Sequence, residues 1–274
     1  MKCRPMRIGV VGYGVVGKAV TQGFRSKGHD VYVNDIRQFK SEKIYDKKFL
    51  MDGCDLIFIC VPTPSKPDGN LDLTYIEQAI EDLHSYRRCD SNNPIIVIKS
   101  TVIPGTTLSL ASKYPKLKFA FNPEFLRMKH ALHDFLYPDR NVIGACSTEI
   151  AKKVSKAYED WKCKLIITDL ETAETIKLVA NCFLTLKVAY ACETNNICNV
   201  LGLDAKEIMD AVCIDNRIGT DHLDPSKGPI PRNSPCLPKD TSGMIRFLES
   251  KGYDSKLLRA AYAAGIEKGV CSGK

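Results

Sequence analysis

The stretch Ile8-Gly9-Val10-Val11-Gly12-Tyr13-Gly14-Val15-Val16-Gly17 decides the fold. Ile8 to Val11 is a short apolar run that reads as a buried strand, and a helical pattern follows from Gly17 to Lys27, stopped at Gly28. Between them Gly12 permits a tight turn, Gly14 lets backbone approach a pyrophosphate, and Gly17 lets the helix pack on the strand. The helix N-terminus then offers unpaired N–H groups and a partial positive charge to phosphates. A second strand, Val31 to Asn34, ends at Asp35, where a carboxylate meets adenosine ribose hydroxyls and repels a 2′-phosphate. The expected cofactor is therefore NAD, held by Gly12, Tyr13, Gly14, Val15, Val16, Gly17 and Asp35. The alternative is a glycine-rich turn that binds nothing. FAD is disfavoured because no second flavin segment follows.

Outward from this unit the chain alternates strand and helix signals. Leu56 to Val61, Ile95 to Lys99, Phe119 to Phe121, Asn141 to Ile143 and Leu165 to Thr168 are further apolar runs, with helical patterns between several of them. Strands apolar on both faces and separated by helices predict a Rossmann-type, doubly wound parallel sheet covered on both sides. After Asp169 the texture changes. One uninterrupted helical pattern runs from Glu171 to Leu201, too long for a crossover in a small domain. Shorter helices are expected at 205–211, 241–249 and 255–266, with a Pro- and Gly-rich loop over 219–238. The division predicted is a dinucleotide-binding domain over 1–168 and an all-helical domain over 169–274, its long helix 171–201 a spine and part of a homodimer interface.

Composition narrows the classes. The chain has 274 residues, 44% hydrophobic and 26% charged, as in a globular protein. Its apolar runs fall short of the roughly 20 residues of a membrane span, so no membrane association is expected. Glycines interrupt the apolar start, which argues against a signal peptide. None of the twelve cysteines falls in a C-x-x-C pair, so neither a disulfide scaffold nor a metal site is expected, and a reducing cytoplasm fits. The net charge of +7 suits an anionic ligand, but without a basic helix or aromatic-interleaved stripe nucleic acid is not an expected partner.

Two further constellations carry chemistry. In Pro235-Cys236-Leu237-Pro238-Lys239-Asp240-Thr241 the prolines are expected to keep the segment out of a helix, with Asp240 or Thr241 capping the next one. A thiol before a helix N-terminus with Lys239 nearby has an environment that favours thiolate, which marks Cys236 as a candidate nucleophile; the alternative is an inert cysteine. On the long helix Lys177 and Asn181, at i and i+4, share a face with Glu174 one turn back. A cation beside an amide can hold an oxyanion, while a solvated helix face is the plainer reading.

Taken together, these segments resemble the UDP-glucose/GDP-mannose dehydrogenase family. The resemblance rests on Val61-Pro-Thr-Pro-Ser-Lys-Pro-Asp-Gly-Asn-Leu-Asp-Leu73, Lys99-Ser-Thr-Val-Ile-Pro-Gly-Thr-Thr107, Asn122-Pro-Glu-Phe-Leu-Arg127 and Pro138-Asp-Arg-Asn-Val-Ile-Gly144. The Lys177/Asn181 helix, Asp215-Asn-Arg-Ile-Gly219 and Cys236-Leu-Pro-Lys-Asp240 then follow in family order. It implies oxidation of the C6 alcohol of a nucleotide sugar, with UDP-glucose favoured, by two hydride transfers to NAD through a thiohemiacetal and thioester on Cys236. It further implies that Lys177 and Asn181 stabilise the oxyanion, that Asp240 and Thr101 position water, and that Glu124 is the base in thioester hydrolysis. Val61, Thr63, Ser100 and Thr101 match cofactor contacts. Phe125, Leu126 and Arg127, together with Lys177, Asn181 and Lys239, match substrate contacts, and Arg217 an arginine that reaches the substrate across the dimer.

The chain departs from the family pattern at Met128, where a carboxylate is usual, and at Pro231-Arg232-Asn233-Ser234-Pro235, where the family has a glycine-rich loop. A further domain that covers the UDP in the family is expected to be lacking. A non-catalytic NAD- or nucleotide-sugar-binding homologue is the second reading. A 6-phosphogluconate- or 3-hydroxyacid-type dehydrogenase is the third, against which Cys236 argues.

Overall fold

A computed structural model describes residues 5–88, 93–231 and 233–267. The chain divides into two compact units, Met1–Thr63 with Asp72–Lys177, and Pro64–Leu71 with Leu178–Lys274.

The first unit is built on seven strands: β1 (Arg7–Val11), β2 (Asp30–Asn34), β3 (Leu56–Ile59), β4 (Ile95–Ile98), β5 (Lys118–Phe121), β6 (Arg140–Ala145) and β7 (Lys164–Thr168). Their order across the sheet is β2-β1-β3-β4-β5-β6-β7. Each apolar run anticipated from sequence is a strand. The side chains of β3 and β4 are buried without exception, as strands covered on both faces must be. The helices are α1 (Val15–Ser26), α2 (Lys47–Gly53), α3 (Thr74–Ser85), α4 (Thr106–Lys113), α5 (Ala131–Leu136) and α6 (Thr148–Lys156). One core layer gathers Leu50, Ile57, Ile80, Ile96 and Phe121; the other gathers Ile8, Val10, Phe24, Phe58 and Val97. Phe24 anchors the second layer, with Phe58, Phe135, Tyr158 and Trp161 all within 5.4 Å ring to ring.

The expected Rossmann-type, doubly wound parallel sheet is present and parallel at every strand junction but one. β5 and β6 run antiparallel, pairing Phe121 with Gly144, while β6 and β7 are parallel to each other. Only 18 residues separate Phe121 from Arg140, and between them lie one 3-10 turn, Met128–His130, and the six-residue α5, which do not make a return crossover. Nor is the sheet covered throughout: edge strand β7 leaves Leu165 and Ile167 exposed.

α7 (Leu170–Leu201) runs 32 residues without a break, from the end of the first unit into the second. It is long and apolar enough to cross a membrane by length and composition, although polar and charged residues interrupt its apolar runs. In this protein its residues Leu178 and Cys182 pack against Met244. α8 (Ala205–Val212), α9 (Leu237–Ser250) and α10 (Lys256–Gly265) complete the second unit. α9 starts four residues before the helix expected at 241–249. Pro238 lies in its first turn, where a missing N–H costs no hydrogen bond, so the proline begins the helix instead of excluding it. The residue at the cap position is Cys236.

Candidate active site

In the first unit the loop after β1 holds a strained shape for which the sequence supplies glycine. Gly12 has φ +93°, and a Cβ there would lie 2.7 Å from the Cys60 carbonyl oxygen. A Cβ on Gly17 would sit 1.9 Å from the Gly12 carbonyl oxygen, so α1 can approach the loop only without one. Above Gly14, by contrast, nothing lies within 4 Å. The N-terminus of α1 has neither a side-chain cap nor an acidic residue in its first turn, so its N–H groups and dipole are available to a phosphate. These residues fit a dinucleotide.

Asp35 accepts the Tyr13 N–H at 2.6 Å and the Arg37 N–H at 2.8 Å. Burial pushes its carboxyl up, but these N–H groups and the Arg37 guanidinium outweigh that and hold it below its usual value. The loop has a second tie that its sequence did not reveal. Tyr13 donates through its hydroxyl to Glu42 at 3.2 Å, and Arg25 grips the same carboxylate with two N–H groups. Val15 and Val16 open α1. The Ser100 hydroxyl donates to the Val61 carbonyl at 2.6 Å, joining the segments that follow β3 and β4, and Thr63 and Thr101 are buried.

Glu124 and Lys177 meet. Lys177 Nζ lies 2.9 Å from Glu124 Oε1, with side-chain exposures of 5% and 12%. The other oxygen, Oε2, accepts the Leu126 N–H at 2.6 Å. Burial pushes the Glu124 carboxyl up, and the Lys177 ammonium, the Leu126 N–H and Lys99 bring it below its usual value. Phe125 lies under two cations, Arg140 at 4.0 Å and Lys177 at 5.4 Å from the ring centre. Arg127 forks onto Asp134, with its Nε at 3.0 Å and an Nη at 2.7 Å. Glu174 does not join Lys177. It is fully buried and accepts the N–H groups of Gly105 and Thr107 at 2.6 and 2.8 Å, capping α4 from another element.

In the second unit Asn181 Nδ2 donates to Asp240 Oδ2 at 2.6 Å, and Lys239 Nζ lies 2.5 Å from Asp240 Oδ1. The Thr185 and Thr241 hydroxyls share a buried hydrogen bond of 2.8 Å, which fixes the first turn of α9 on α7. The segment before Cys236 includes Arg232, which lies outside the described residues. Arg217 is exposed and folded back on Asp215. Lys177 and Asn181 are both buried, so the solvated-face reading of α7 fails at these positions.

Sequence reading missed Lys99, an ammonium 3% exposed at the end of β4. The available signal was a lone cation ending an otherwise apolar strand, Ile95 to Ile98.

Fold and site together define a dinucleotide-binding α/β protein with a helical second unit. Residues 45–162 match the NAD binding domain and residues 171–264 the central domain of the UDP-glucose/GDP-mannose dehydrogenase family. The chain is 38% identical to a UDP-glucose 6-dehydrogenase of Rickettsia bellii over 227 residues, 80% of this chain and 50% of the relative. It is 31% identical to a GDP-mannose 6-dehydrogenase of Pseudomonas syringae, over 93% of this chain and 67% of the relative. A solved UDP-glucose dehydrogenase from Pyrobaculum islandicum superposes with a TM-score of 0.85 at 28% identity, over 96% of this chain and 68% of that one. The chain belongs to the UDP-glucose/GDP-mannose dehydrogenase family and carries its NAD binding domain. It spans about half the length of several curated relatives, 50% of the Rickettsia bellii protein among them.

Proposed function

We propose that this protein oxidises the C6 alcohol of a nucleotide sugar, UDP-glucose first among candidates, to the uronic acid. The observation that carries this reading is the buried Glu124–Lys177 pair. Desolvating two opposite charges costs stability that an apolar pair would not, so such a pair at family-matching positions points to chemistry. NAD supplies the hydride acceptor for both oxidations. In the first, the C6 alcohol loses a hydride and a proton to give an aldehyde. The Cys236 thiolate adds to the aldehyde carbon, and loss of a second hydride and proton from the thiohemiacetal leaves a thioester. Water then cleaves the C–S bond, releasing carboxylate and thiol.

The residues divide this work by their chemistry. Lys177 and Asn181 donate to the oxyanion, a role in which one positioned donor contributes several kcal/mol, roughly 3 to 4. Glu124 takes a proton from the attacking water, and Asp240 with Thr101 orients it. Phe125, Leu126, Arg127 and Lys239 hold the substrate, Arg217 reaches it from a second copy, and Val61, Thr63 and Ser100 contact the cofactor. That second copy is part of the proposal. Val179, Phe183, Leu186, Tyr190, Ile197 and Val200 follow the alternating 4- and 3-residue spacing of a helix seam along α7, interrupted only by Glu193. All but Leu186 are exposed, which suits a homodimer through this helix. Thiolate chemistry suits a reducing cytoplasm.

The test is NADH absorbance in a mixture of protein, NAD and UDP-glucose. Two NADH per sugar, lost in Cys236→Ala, are expected. NAD binding without turnover on any nucleotide sugar would instead identify a non-catalytic binding homologue.

A further inference from the structure

Lys99 has a role that neither the cofactor loop nor the proposed chemistry uses. Its ammonium donates to Asn122 Oδ1 at 2.8 Å and to the backbone carbonyls of Asn122 at 3.2 Å and Pro123 at 3.5 Å. Three protons meet three oxygens, and none is a carboxylate. Among the described residues no acid lies within ion-pair distance of it. Asn122 is itself fully buried and fully engaged. Its Oδ1 also accepts from the Tyr158 hydroxyl at 2.6 Å, and its Nδ2 donates to Asn141 Oδ1 and the Val142 carbonyl, both at 2.7 Å. This network joins the ends of β4, β5 and β6 at the turn that leads straight into Glu124.

We propose that Lys99 is a positioning residue for Glu124: its ammonium locks the Asn122–Pro123 turn that presents the carboxylate and adds a second buried positive charge to that of Lys177. A turn held only for stability would be served by neutral donors, because a buried charge without a contacting counter-charge costs far more than an amide in the same place. The charge is explained if Glu124 must stay ionised although buried, as a base must. The charged and titratable groups facing Lys99 fit that account. Cys60 is a thiol that burial pushes up to about 12, Tyr158 is raised well above its usual value by burial, and the Phe135 ring lies 5.7 Å away. Among the described residues Glu124 is thus the facing group that is anionic at neutral pH, with Lys177 the other cation.

The inference rests on the proposed role of Glu124, and its test separates the two. The full chain is labelled at glutamate carboxyl carbons and titrated by NMR, the Glu124 signal being assigned by its loss in Glu124→Gln. Lys99→Met is expected to shift the Glu124 titration upward by about one pH unit. Lys99→Gln, which keeps an amide donor but no charge, is expected to do the same and serves where the methionine variant does not fold. An unmoved Glu124 titration in a folded variant overturns the proposal, whatever happens to stability. In turnover, the variants are expected to accumulate the Cys236 thioester, detected by intact-protein mass. Equal slowing of the first NADH and of uronate release would argue against Lys99 acting through Glu124. Absence of any NADH from the unaltered protein would refute the proposed function instead, and the carboxyl titration would still judge Lys99.

Discussion

At the residue scale, burial sets the sign of the pH effects. Desolvation lowers the Lys99 ammonium from 10.5 to about 8. A base whose folded value is depressed keeps its proton in the unfolded chain but loses it in the folded one between those two values, so stability rises with pH across that window. The gap corresponds to roughly 3 kcal/mol. Denaturant unfolding at pH 7.5 and at 10.5 should show this gain in the unaltered chain but not in Lys99→Met. The glycines separate along a different line. Gly14→Ala adds a methyl to open space and should leave thermal stability nearly unchanged while weakening NAD binding. Gly17→Ala pushes a methyl into the Gly12 carbonyl and should lower stability itself. Calorimetric NAD titration beside thermal melts distinguishes the two; equal melts with equal affinities would contradict both expectations.

At the element scale, α2, α6 and α8 are capped by the side chain that precedes them, whereas α4 depends on a partner remote in sequence. α4 has no side-chain cap of its own, and Glu174 of α7 supplies the acceptors for its first N–H groups. Glu174→Ala removes the acceptor of the buried Thr107 N–H and the half-buried Gly105 N–H and should destabilise the chain by about 1 to 3 kcal/mol in urea unfolding. Glu174→Gln keeps a carbonyl acceptor and should cost less. Burial raises the Glu174 carboxyl, so the folded chain holds this proton where the unfolded chain has released it. Stability from this group therefore falls as pH climbs from about 4.3 through the raised folded value, a slope the glutamine variant should lack. The sequence placed Glu174 one turn from Lys177 on a common face, yet the two side chains serve different neighbours. Spacing along a helix gives direction, not the element that waits there.

At the scale of the whole molecule, the exposed seam of α7 sets the expectation for assembly. Phe183→Asp with Tyr190→Asp places two charges in the apolar row and should convert a dimer to monomer by light scattering, with its thermal transition made less dependent on protein concentration. A monomeric unaltered chain would count against the seam as an interface. The strand order also has a functional consequence. From β1 the chain turns to β2 on one side and β3 on the other, so the Gly12–Gly17 loop and Asp35 stand at the switch point where α/β sheets bind ligands.

By itself the sequence determined what local physics encodes: seven short apolar runs that read as strands, a glycine-rich turn between the first strand and its helix, and one uninterrupted helical pattern over 171–201. It also singled out Glu124 and Lys177, 53 residues apart, without containing the 2.9 Å that joins them. Tertiary structure alone decided the capping of α4 by Glu174 and the burial of Lys99 against Asn122. The reason is common to both. Hydrogen-bond satisfaction and desolvation of a buried polar group depend on which distant segment arrives beside it, and no window along the chain holds that partner.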